Sequence, residues 1–459
     1  MGQLKTVNPA SGEVIETYDL MSLDEAKRVV DRCHEAFESW RKVPLEERAE
    51  VIRAIGKALK DKKGDLADLM SREMGKVRAQ GDGEIDLCVG ICEYTAEQGP
   101  KQLVDEERPL EGGSRGVVQY APIGVIYGIQ PWNFPCYQVV RYAIANLMAG
   151  NGVLLKHAES CTGSGLALEA LFREAGLPEN LFSVLLIDHD TSDEIIAYEK
   201  VRGVTLTGSP DAGRHVAEKA GAALKKTVLE LGSNDAYIVL EDADLDRAVK
   251  QCVTGRTYNN GETCVAAKRF IVVDAVYDQF RDAFVKAMGA LKSGDPFADD
   301  SDIGPMVTGG QRNKLHEQVE DSVAKGAKIL CGGERPDGQG YYYPATVLEN
   351  IEPGQPAYDD ELFGPVASLI RAKDAEDAFR IANDSPYGLG GGIFSTDGEK
   401  AVALAKSDFD TGMVFINGFG LATPNMPFGG VKDSGYGREH GGFGMKEFVN
   451  VKAIQVMAE

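Results

Sequence analysis

Apolar residues recur mainly at helical spacing through the first hundred residues of the chain. Ser22 and Glu25 have the spacing of a capping box, in which each side chain accepts a hydrogen bond from the other residue's backbone N–H at a helix start. The apolar positions that follow at intervals of three and four are Ala26, Val29, Val30, Cys33, Phe37 and Trp40. Pro44 opens a second stretch of this kind. We therefore predict helices here that cover one face of a sheet.

From about residue 115 the pattern changes to short apolar runs separated by amphipathic stretches. The first series of runs comprises residues 124–129, 152–156, 182–187, 204–207 and 236–240. The second series comprises residues 269–273, 328–330, 366–370, 392–394 and 413–416. Such alternation is typical of mostly parallel sheets covered by helices. The pattern therefore predicts an α/β protein with two lobes.

Two further segments have strand-like alternation outside these series. Residues 115–120, just before Pro122, are suited to an exposed hairpin outside the main sheet, and residues 448–457 follow a glycine-rich loop. Exposed edge strands favour pairing between copies of a chain. We expect these segments to form a β element that joins copies into a homodimer or homotetramer.

Charge and cysteine content narrow the class of protein. The 459 residues include 49 basic and 71 acidic side chains, which gives a net charge of −22. Such acidity repels phosphate backbones and anionic lipids, so neither nucleic acid nor a membrane is an expected partner. Eight scattered cysteines indicate reduced thiols rather than a disulfide scaffold. With no leader pattern at the start of the sequence, we expect a cytoplasmic protein.

One segment has the pattern of an anion site. Residues 204–207 read as a buried strand, Gly208 as a turn, Ser209 as a helix N-cap and Pro210 as the first helical residue. This junction directs free backbone N–H groups at whatever lies above it, which suits a pyrophosphate. An ordinary helix start has the same pattern, so the segment alone leaves both readings open.

Three other residues combine into a chemical set. Asn133 stands between two aromatic residues and two prolines, Glu230 lies in an apolar context before a turn, and Cys264 follows a glycine turn. Taken singly, they are a turn former, a paired structural acid and a core residue as readily as functional groups. Together they supply a nucleophile, an oxyanion donor and a base for chemistry on a carbonyl.

These segments resemble the signature blocks of the NAD(P)-dependent aldehyde dehydrogenases. Glu230 and Cys264 are separated by 264 − 230 = 34 positions, as in that family. The similarity runs almost end to end, and further matching blocks are residues 72–76, 155–156, 361–366 and 427–439. The resemblance implies a Rossmann-type coenzyme lobe, an α/β catalytic lobe and a small β oligomerisation element. The implied coenzyme lobe comprises residues 1–105 and 124–233, and the implied catalytic lobe comprises residues 234–430. The implied oligomerisation element comprises residues 106–123 and 446–459.

The resemblance also assigns catalytic roles. It implies that the Cys264 thiolate attacks the aldehyde carbon to give a thiohemiacetal, while Asn133 and the Cys264 backbone N–H stabilise the oxyanion. Hydride transfer to the nicotinamide then leaves a thioester. Glu230 would activate water to release a carboxylic acid, which favours hydrolysis over acyl transfer to coenzyme A. A structural member of the fold without turnover is the remote alternative, and no metal is implied.

The coenzyme contacts implied by the resemblance are Trp132, Lys156, Glu159, Gly208, Ser209, Glu361 and Phe363. Lys156 and Glu159 match positions at the adenosine ribose, and Glu361 and Phe363 match the nicotinamide-ribose clamp. A carboxylate at position 159 accepts both ribose hydroxyls but repels a 2′-phosphate. NAD is therefore expected ahead of NADP.

Within the family, the chain is most similar to bacterial succinate-semialdehyde dehydrogenases, on residues 156–158, 222–226 and 266–271. Arg141 matches an arginine that binds the substrate carboxylate. A second arginine of many such enzymes is replaced by Tyr258, and Tyr137, Tyr258 and Phe428 suit an apolar pocket for an uncharged aldehyde equally well.

Three positions depart from the usual blocks. His157 replaces proline, Ser233 replaces glycine, and Glu262 replaces glutamine. A carboxylate at position 262 is expected to raise the pKa of the nearby thiol unless it points away.

Overall fold

The computed structural model describes residues 2–458 of the chain. Within that range the strands are β1 (Gln3–Val7), β2 (Val14–Asp19), β3 (Glu106–Pro109), β4 (Arg115–Pro122), β5 (Val125–Gln130), β6 (Gly152–His157), β7 (Phe182–Val184), β8 (Val201–Thr207), β9 (Lys226–Glu230), β10 (Ala236–Val239), β11 (Arg269–Val273), β12 (Lys328–Cys331), β13 (Thr346–Glu349), β14 (Val366–Ala372), β15 (Tyr387–Gly388), β16 (Gly391–Phe394), β17 (Phe415–Ile416), β18 (Val431–Lys432), β19 (Gly435–Tyr436) and β20 (Val449–Val456).

The α-helices are α1 (Leu23–Trp40), α2 (Leu45–Asp61), α3 (Lys63–Met74), α4 (Arg78–Gln102), α5 (Tyr137–Ala149), α6 (Thr162–Glu174), α7 (His189–Ala197), α8 (Pro210–Ala222), α9 (Leu245–Thr257), α10 (Asp274–Gly289), α11 (Gly309–Ala324), α12 (Pro356–Asp359), α13 (Ala375–Asn383), α14 (Gly398–Ser407) and α15 (Phe443–Glu447). The predicted capping box of Ser22 and Glu25 opens α1. No helix within residues 2–458 is both long and apolar enough to cross a membrane.

The first lobe is built on a six-stranded sheet with the order β19-β9-β8-β5-β6-β7. Strands β5 to β9 are parallel in this sheet, and β19 runs antiparallel to β9. Helices cover both faces of this sheet. Successive residues of a strand point to opposite sides, so one strand contributes side chains to the cores on both faces. In β6, Leu154 joins the core beneath α1, while Val153 and Leu155 join the core beneath α5 and α6.

The second lobe is built on a seven-stranded sheet with the order β12-β13-β14-β11-β10-β16-β17. All its neighbouring strands are parallel except the pair β12 and β13. Buried residues again alternate between two cores: Ile238 of β10 lies in one, and Tyr237 and Val239 lie in the other. The predicted α/β class with two lobes is confirmed.

A separate antiparallel sheet has the order β20-β4-β3. Strand β20 forms its edge and leaves apolar side chains exposed, with Val451 59% and Ile454 41% accessible. The two segments that alternate outside the main series therefore pair with each other.

The prediction that the first hundred residues are entirely helical is wrong at their start. Strands β1 and β2 form an antiparallel hairpin whose turn contains Gly12 at φ 75°. Strand β1 alternates buried and exposed positions over only five residues, which is too short a run to stand out against the helical pattern that follows. Strands β9 and β13 were also missed, because neither lies within the apolar runs from which strands were predicted.

Candidate active site

Three neighbouring strands of the first lobe end at the same edge of its sheet. Strands β5, β8 and β9 are parallel and adjacent. Their carboxyl ends therefore bring together Asn133, which follows β5, the Gly208–Ser209 turn, which follows β8, and Glu230, the last residue of β9. Ligands of open parallel sheets bind at such an edge.

The chain crosses from the first lobe to the second in five residues, 231–235, between β9 and β10. Strand β11 lies beside β10 and parallel to it, so the loops that enter these strands are neighbours. Cys264 lies in the loop that enters β11. The amino end of the second sheet therefore presents Cys264 to the carboxyl end of the first.

A cleft of about 430 Å³ lies between these two sheet edges. The predicted site residues that line it are Trp132, Asn133, Gly208, Ser209, Cys264, Glu361 and Phe363. Trp132 and Phe363 meet edge to face, with ring centroids 5.6 Å apart. The cleft thus joins the predicted nucleophile and oxyanion donor to most of the predicted coenzyme contacts.

Asn133 is held rigidly next to Cys264. Its Nδ2 donates to the Glu262 carbonyl at 3.1 Å, and its own backbone carbonyl accepts from Asn259 Nδ2 at 2.8 Å. An amide nitrogen carries two hydrogens, so one N–H of Asn133 is free of the Glu262 bond. Asn133 is only 4% exposed and lines the cleft, so its amide is part of the cleft wall.

The Cys264 thiol lies among charges of both signs. Burial raises its pKa to about 11; Arg141 and Lys268 act in the opposite direction, and Glu230 and Glu361 add to the rise. Glu262 points away, because its Oε1 accepts from the Val307 N–H at 3.1 Å. The resting site therefore favours the thiol, and the two cations favour its conversion to the nucleophilic thiolate.

Glu230 is buried near Cys264, with both carboxylate oxygens lacking a hydrogen-bond partner among the described residues. The backbone of Gly429 packs against it so closely that a Cβ there would lie 2.9 Å from Oε1. Burial raises the pKa of Glu230 well above its ordinary value, while Arg141 opposes that rise. The apolar context in the sequence predicts this burial.

Arg141 of α5 is almost completely buried and already paired. Its Nε forms an ion pair with Glu439, and one terminal nitrogen donates to Thr207 Oγ1 at 2.9 Å. The other terminal nitrogen, Nη1, has no hydrogen-bond partner among residues 2–458. Burial lowers the pKa of Arg141, but the nearby Glu439, Tyr137 and Glu230 together outweigh burial and the pKa is raised. Arg141 therefore remains charged near Cys264.

Aromatic side chains enclose this guanidinium. Arg141 lies over the rings of Tyr137, at 5.2 Å, and Phe428, at 4.8 Å. The Tyr137 hydroxyl is 3.0 Å from His440 Nε2, and the two rings stack. Tyr258 lies further along, stacked on Phe134 with ring centroids 6.5 Å apart. Phe134 also meets Tyr137 edge to face at 5.9 Å, so Tyr137, Tyr258 and Phe428 belong to one aromatic region beside Arg141.

Lys156 and Glu159 lie outside the lining of the 430 Å³ cleft. Lys156 is a residue of β6. Burial lowers the pKa of its side chain, and the neighbouring charges of Glu159 and Asp188 oppose that change. Glu159 is exposed. His157 is fixed by two bonds, since Nε2 lies 2.9 Å from the Pro135 carbonyl and Nδ1 accepts from Ala158 N–H.

Comparison with known proteins agrees with this architecture. Residues 2–454 match the Aldehyde dehydrogenase family. The chain belongs to the aldehyde dehydrogenase family. The predicted family is therefore confirmed, and the match includes both lobes and the β20-β4-β3 sheet.

Three related aldehyde dehydrogenases illustrate the similarity. The chain is 43% identical to succinate-semialdehyde dehydrogenase [NADP(+)] of Deinococcus radiodurans, over 98% of this chain and 94% of that one. It is 42% identical to succinate semialdehyde dehydrogenase [NAD(P)+] of Escherichia coli, over 98% and 97%. The crystal structure of succinic semialdehyde dehydrogenase from Streptococcus pyogenes with NADP+ superposes with a TM-score of 0.96, at 37% identity over 98% and 99%.

Sequence reasoning missed several residues of this aldehyde dehydrogenase site. Glu439 is the last residue of the matched block 427–439 and His440 follows it, yet neither was assigned a role. Their relation to Arg141 depends on a contact across almost three hundred residues, which no local pattern reveals. Lys268 was also missed, although a lysine just before a buried strand is an unusual neighbour for a cysteine.

Proposed function

We propose that this aldehyde dehydrogenase oxidises succinate semialdehyde to succinate with a nicotinamide dinucleotide as coenzyme. The observation that carries the proposal is the position of one buried, charged guanidinium, Arg141, behind Cys264, Asn133 and Glu230. Its free Nη1 suits a carboxylate at the far end of a short aldehyde. The names of the Deinococcus and Escherichia relatives support the same substrate.

The residues that line the cleft fit a nicotinamide dinucleotide. Ser209 caps α8, so the first turn of that helix directs backbone N–H groups into the cleft near Gly208. Gly232 lies close to Pro210 and leaves room for the Glu361 carboxylate, because a Cβ at Gly232 would lie 2.6 Å from Glu361 Oε2. Glu361 and Phe363 would hold the nicotinamide ribose, and Trp132 would contact the coenzyme beside them.

The chain's own residues supply the covalent chemistry. The Cys264 thiolate adds to the aldehyde carbon, and the free N–H of Asn133 stabilises the oxyanion of the thiohemiacetal. A bound nicotinamide ring would supply the acceptor for the hydride of this carbon, and the loss of that hydride would leave a thioester on Cys264. Glu230 then removes a proton from water as the water attacks the thioester, and succinate leaves as Cys264 regains its thiol.

The coenzyme proposal is NAD ahead of NADP. Exposed Glu159 near Lys156 would accept the adenosine ribose hydroxyls and repel a 2′-phosphate. The relatives are named for NADP(+) or NAD(P)+, and the Streptococcus enzyme was crystallised with NADP+. Both coenzymes therefore belong in the test.

A second candidate substrate is an uncharged aliphatic or aromatic aldehyde. Two nitrogens of Arg141 are already engaged by Glu439 and Thr207, and the surroundings are aromatic. If these partners saturate the guanidinium, the remaining surface is an apolar pocket.

The deciding experiment compares kcat/KM for succinate semialdehyde, butanal and benzaldehyde, each with NAD and NADP, and identifies the acid formed by NMR. We expect the highest kcat/KM for succinate semialdehyde, with succinate as product. Equal or faster oxidation of butanal would favour the second candidate. No coenzyme reduction with any of the three would leave only a non-catalytic role.

We also propose that the chain works in the cytoplasm as a homodimer or homotetramer. All eight cysteines are free thiols, as a reducing compartment maintains them. The exposed apolar side chains and unpaired edge of β20 support association through this strand. Light scattering on wild type and on Ile454→Lys tests it: wild type is expected as an oligomer, and an unchanged mass for Ile454→Lys would contradict a β20 interface.

A further inference from the structure

Lys268, four residues after Cys264, is almost completely buried, with 1% of its surface exposed. Its Nζ donates to the Cys264 carbonyl at 2.6 Å and to Ser233 Oγ at 2.7 Å. The same nitrogen pairs with Glu361 Oε1 at 3.1 Å. The Thr263 carbonyl accepts a third, longer bond from Nζ at 3.3 Å, so all three hydrogens of the ammonium group have acceptors and Glu361 adds an ion pair. Lys268 therefore joins the nucleophile's backbone to an acid that lines the coenzyme cleft.

Ser233 completes the same network. Its hydroxyl accepts from Lys268, which directs its own hydrogen to the Cys264 carbonyl, and its backbone N–H donates to Glu361 Oε1 at 3.1 Å. Ser233 is fully buried. This is the position where the sequence departs from the usual glycine, and a glycine would lack the hydroxyl bond.

The charge of Lys268 is what requires an explanation. Burying an ammonium costs far more free energy than burying a neutral amide, and an amide N–H would hold a carbonyl equally well. A buried cation beside a thiol, however, favours the thiolate. The charged groups near enough to act on the Cys264 thiol are the cations Arg141 and Lys268 and the acids Glu230 and Glu361.

We propose that Lys268, together with Ser233, is a positioning residue that fixes the Cys264 backbone and favours its thiolate, and that Glu361 weakens this effect through its ion pair with Lys268. The inference rests on the proposed role of Cys264 as nucleophile. It adds a residue to that role and requires neither a particular aldehyde nor a particular coenzyme.

The test measures alkylation of Cys264 by iodoacetamide in the enzyme without coenzyme, from pH 6 to 10, by mass spectrometry of the Cys264 peptide. In Lys268→Met we expect the apparent pKa of alkylation to rise by about one unit, which lowers the rate at pH 7.5 about tenfold. Lys268→Gln keeps a hydrogen-bond donor without charge, so it is expected to slow alkylation as well. An unchanged profile in folded Lys268→Met would overturn the proposal.

Cys331 provides an internal control, because it is the other cysteine that is only partly buried. Its alkylation rate should stay constant in each variant, whereas loosening of the fold would raise it. If Lys268→Met does not fold, Ser233→Ala replaces it: loss of one bond to the Cys264 carbonyl is expected to slow Cys264 alkylation about threefold, within the range for one hydrogen bond. An unchanged rate in Ser233→Ala would then contradict the proposal.

The contribution of Glu361 needs a double-mutant comparison. Glu361→Gln is expected to accelerate alkylation in the wild-type background and to do so less in Lys268→Met, because part of its influence passes through Lys268. Equal acceleration in both backgrounds would remove Glu361 from the proposal. Since no aldehyde is oxidised in these measurements, they fail or succeed separately from the substrate assays above.

Discussion

The two sides of Cys264 differ in how their polar groups are satisfied. On the cleft side, a helix N-terminus, a free amide N–H of Asn133 and the rings of Trp132 and Phe363 border a space of about 430 Å³. On the enclosed side, Arg141 is paired with Glu439 and surrounded by aromatic rings. The cleft side thus offers groups that a ligand meets without competition. A ligand on the enclosed side must share a cation that already has a partner.

The largest effect is expected at the residue common to both sides. Cys264→Ser should lower aldehyde oxidation about a thousandfold or more, because a serine hydroxyl is far less acidic than a thiol and is a much weaker nucleophile near neutral pH. Coenzyme reduction followed at 340 nm measures the loss. Cys331→Ser, which lies in β12 and away from the cleft, should retain wild-type activity. Comparable activity in Cys264→Ser would rule out the covalent route.

Removing the base should separate the two halves of the reaction. In Glu230→Gln we expect kcat to fall about 10²–10⁴-fold while one turnover of coenzyme reduction persists as a rapid burst, since only thioester hydrolysis needs the base. Because burial raises the pKa of Glu230, its base form increases with pH, so wild-type deacylation should accelerate on alkalinisation and the variant should lose that dependence.

Stopped-flow measurement of the burst at several pH values checks this prediction. Glu376→Gln, on the exposed face of α13, is the matched control and should behave as wild type. Loss of the burst in Glu230→Gln would mean that Glu230 acts in the formation of the thioester rather than in its hydrolysis.

The prediction for the enclosed side concerns Arg141. Arg141→Met should raise KM for succinate semialdehyde about 10–100-fold, the range for a lost charge-assisted hydrogen bond, and leave KM for butanal unchanged. The variant also leaves Glu439 buried without its partner, which is expected to lower the free energy of unfolding by about 3–5 kcal/mol. The double variant with Glu439→Gln should recover part of that stability. Equal changes in KM for both aldehydes would show that Arg141 does not bind the substrate carboxylate.

The same division explains what the sequence analysis found and what it missed. The strand, the turn at Gly208 and the helix cap at Ser209 were predicted correctly, because they follow one another in the chain and local order is visible in a sequence. Arg141 and Glu439 meet only through the tertiary fold, so the pairing that competes with a substrate carboxylate has no local signature. Lys268 was hidden for a related reason, since its partners Ser233 and Glu361 lie on separate segments.

Fold class was accessible for a physical reason of the same kind. Runs such as residues 269–273 are buried on both faces, so they are continuously apolar and stand out. Strand β9 escaped notice because its first residue, Lys226, is exposed and only its end is buried. The hairpin of β1 and β2 escaped because β2 exposes nearly all its side chains.

Lowering the pH should reduce the free energy of unfolding through His157, the last residue of β6. Burial lowers the pKa of His157 to about 4, whereas an unfolded histidine binds its proton near pH 6.5. Between these values the unfolded chain binds more protons, so the free energy of unfolding should fall with decreasing pH by about 1.4 kcal/mol per unit. Urea unfolding at pH 7.5 and 5 should show a smaller fall in His157→Gln, and the exposed control His189→Gln should match wild type. An identical fall in His157→Gln would contradict a neutral buried histidine.

The smallest effect is expected at the exposed end of the coenzyme contacts. Glu159 is solvent-exposed, so the repulsion it exerts on a 2′-phosphate is screened and is worth no more than about 1 kcal/mol. Glu159→Gln should therefore raise kcat/KM for NADP about fivefold and lower the preference for NAD, whereas Glu179→Gln, which is also exposed, should not. The gain should shrink at high salt, since screening already weakens the repulsion in wild type. A ratio of NADP to NAD use that is unchanged in Glu159→Gln would mean that coenzyme choice depends on the shape of the cleft rather than on this charge.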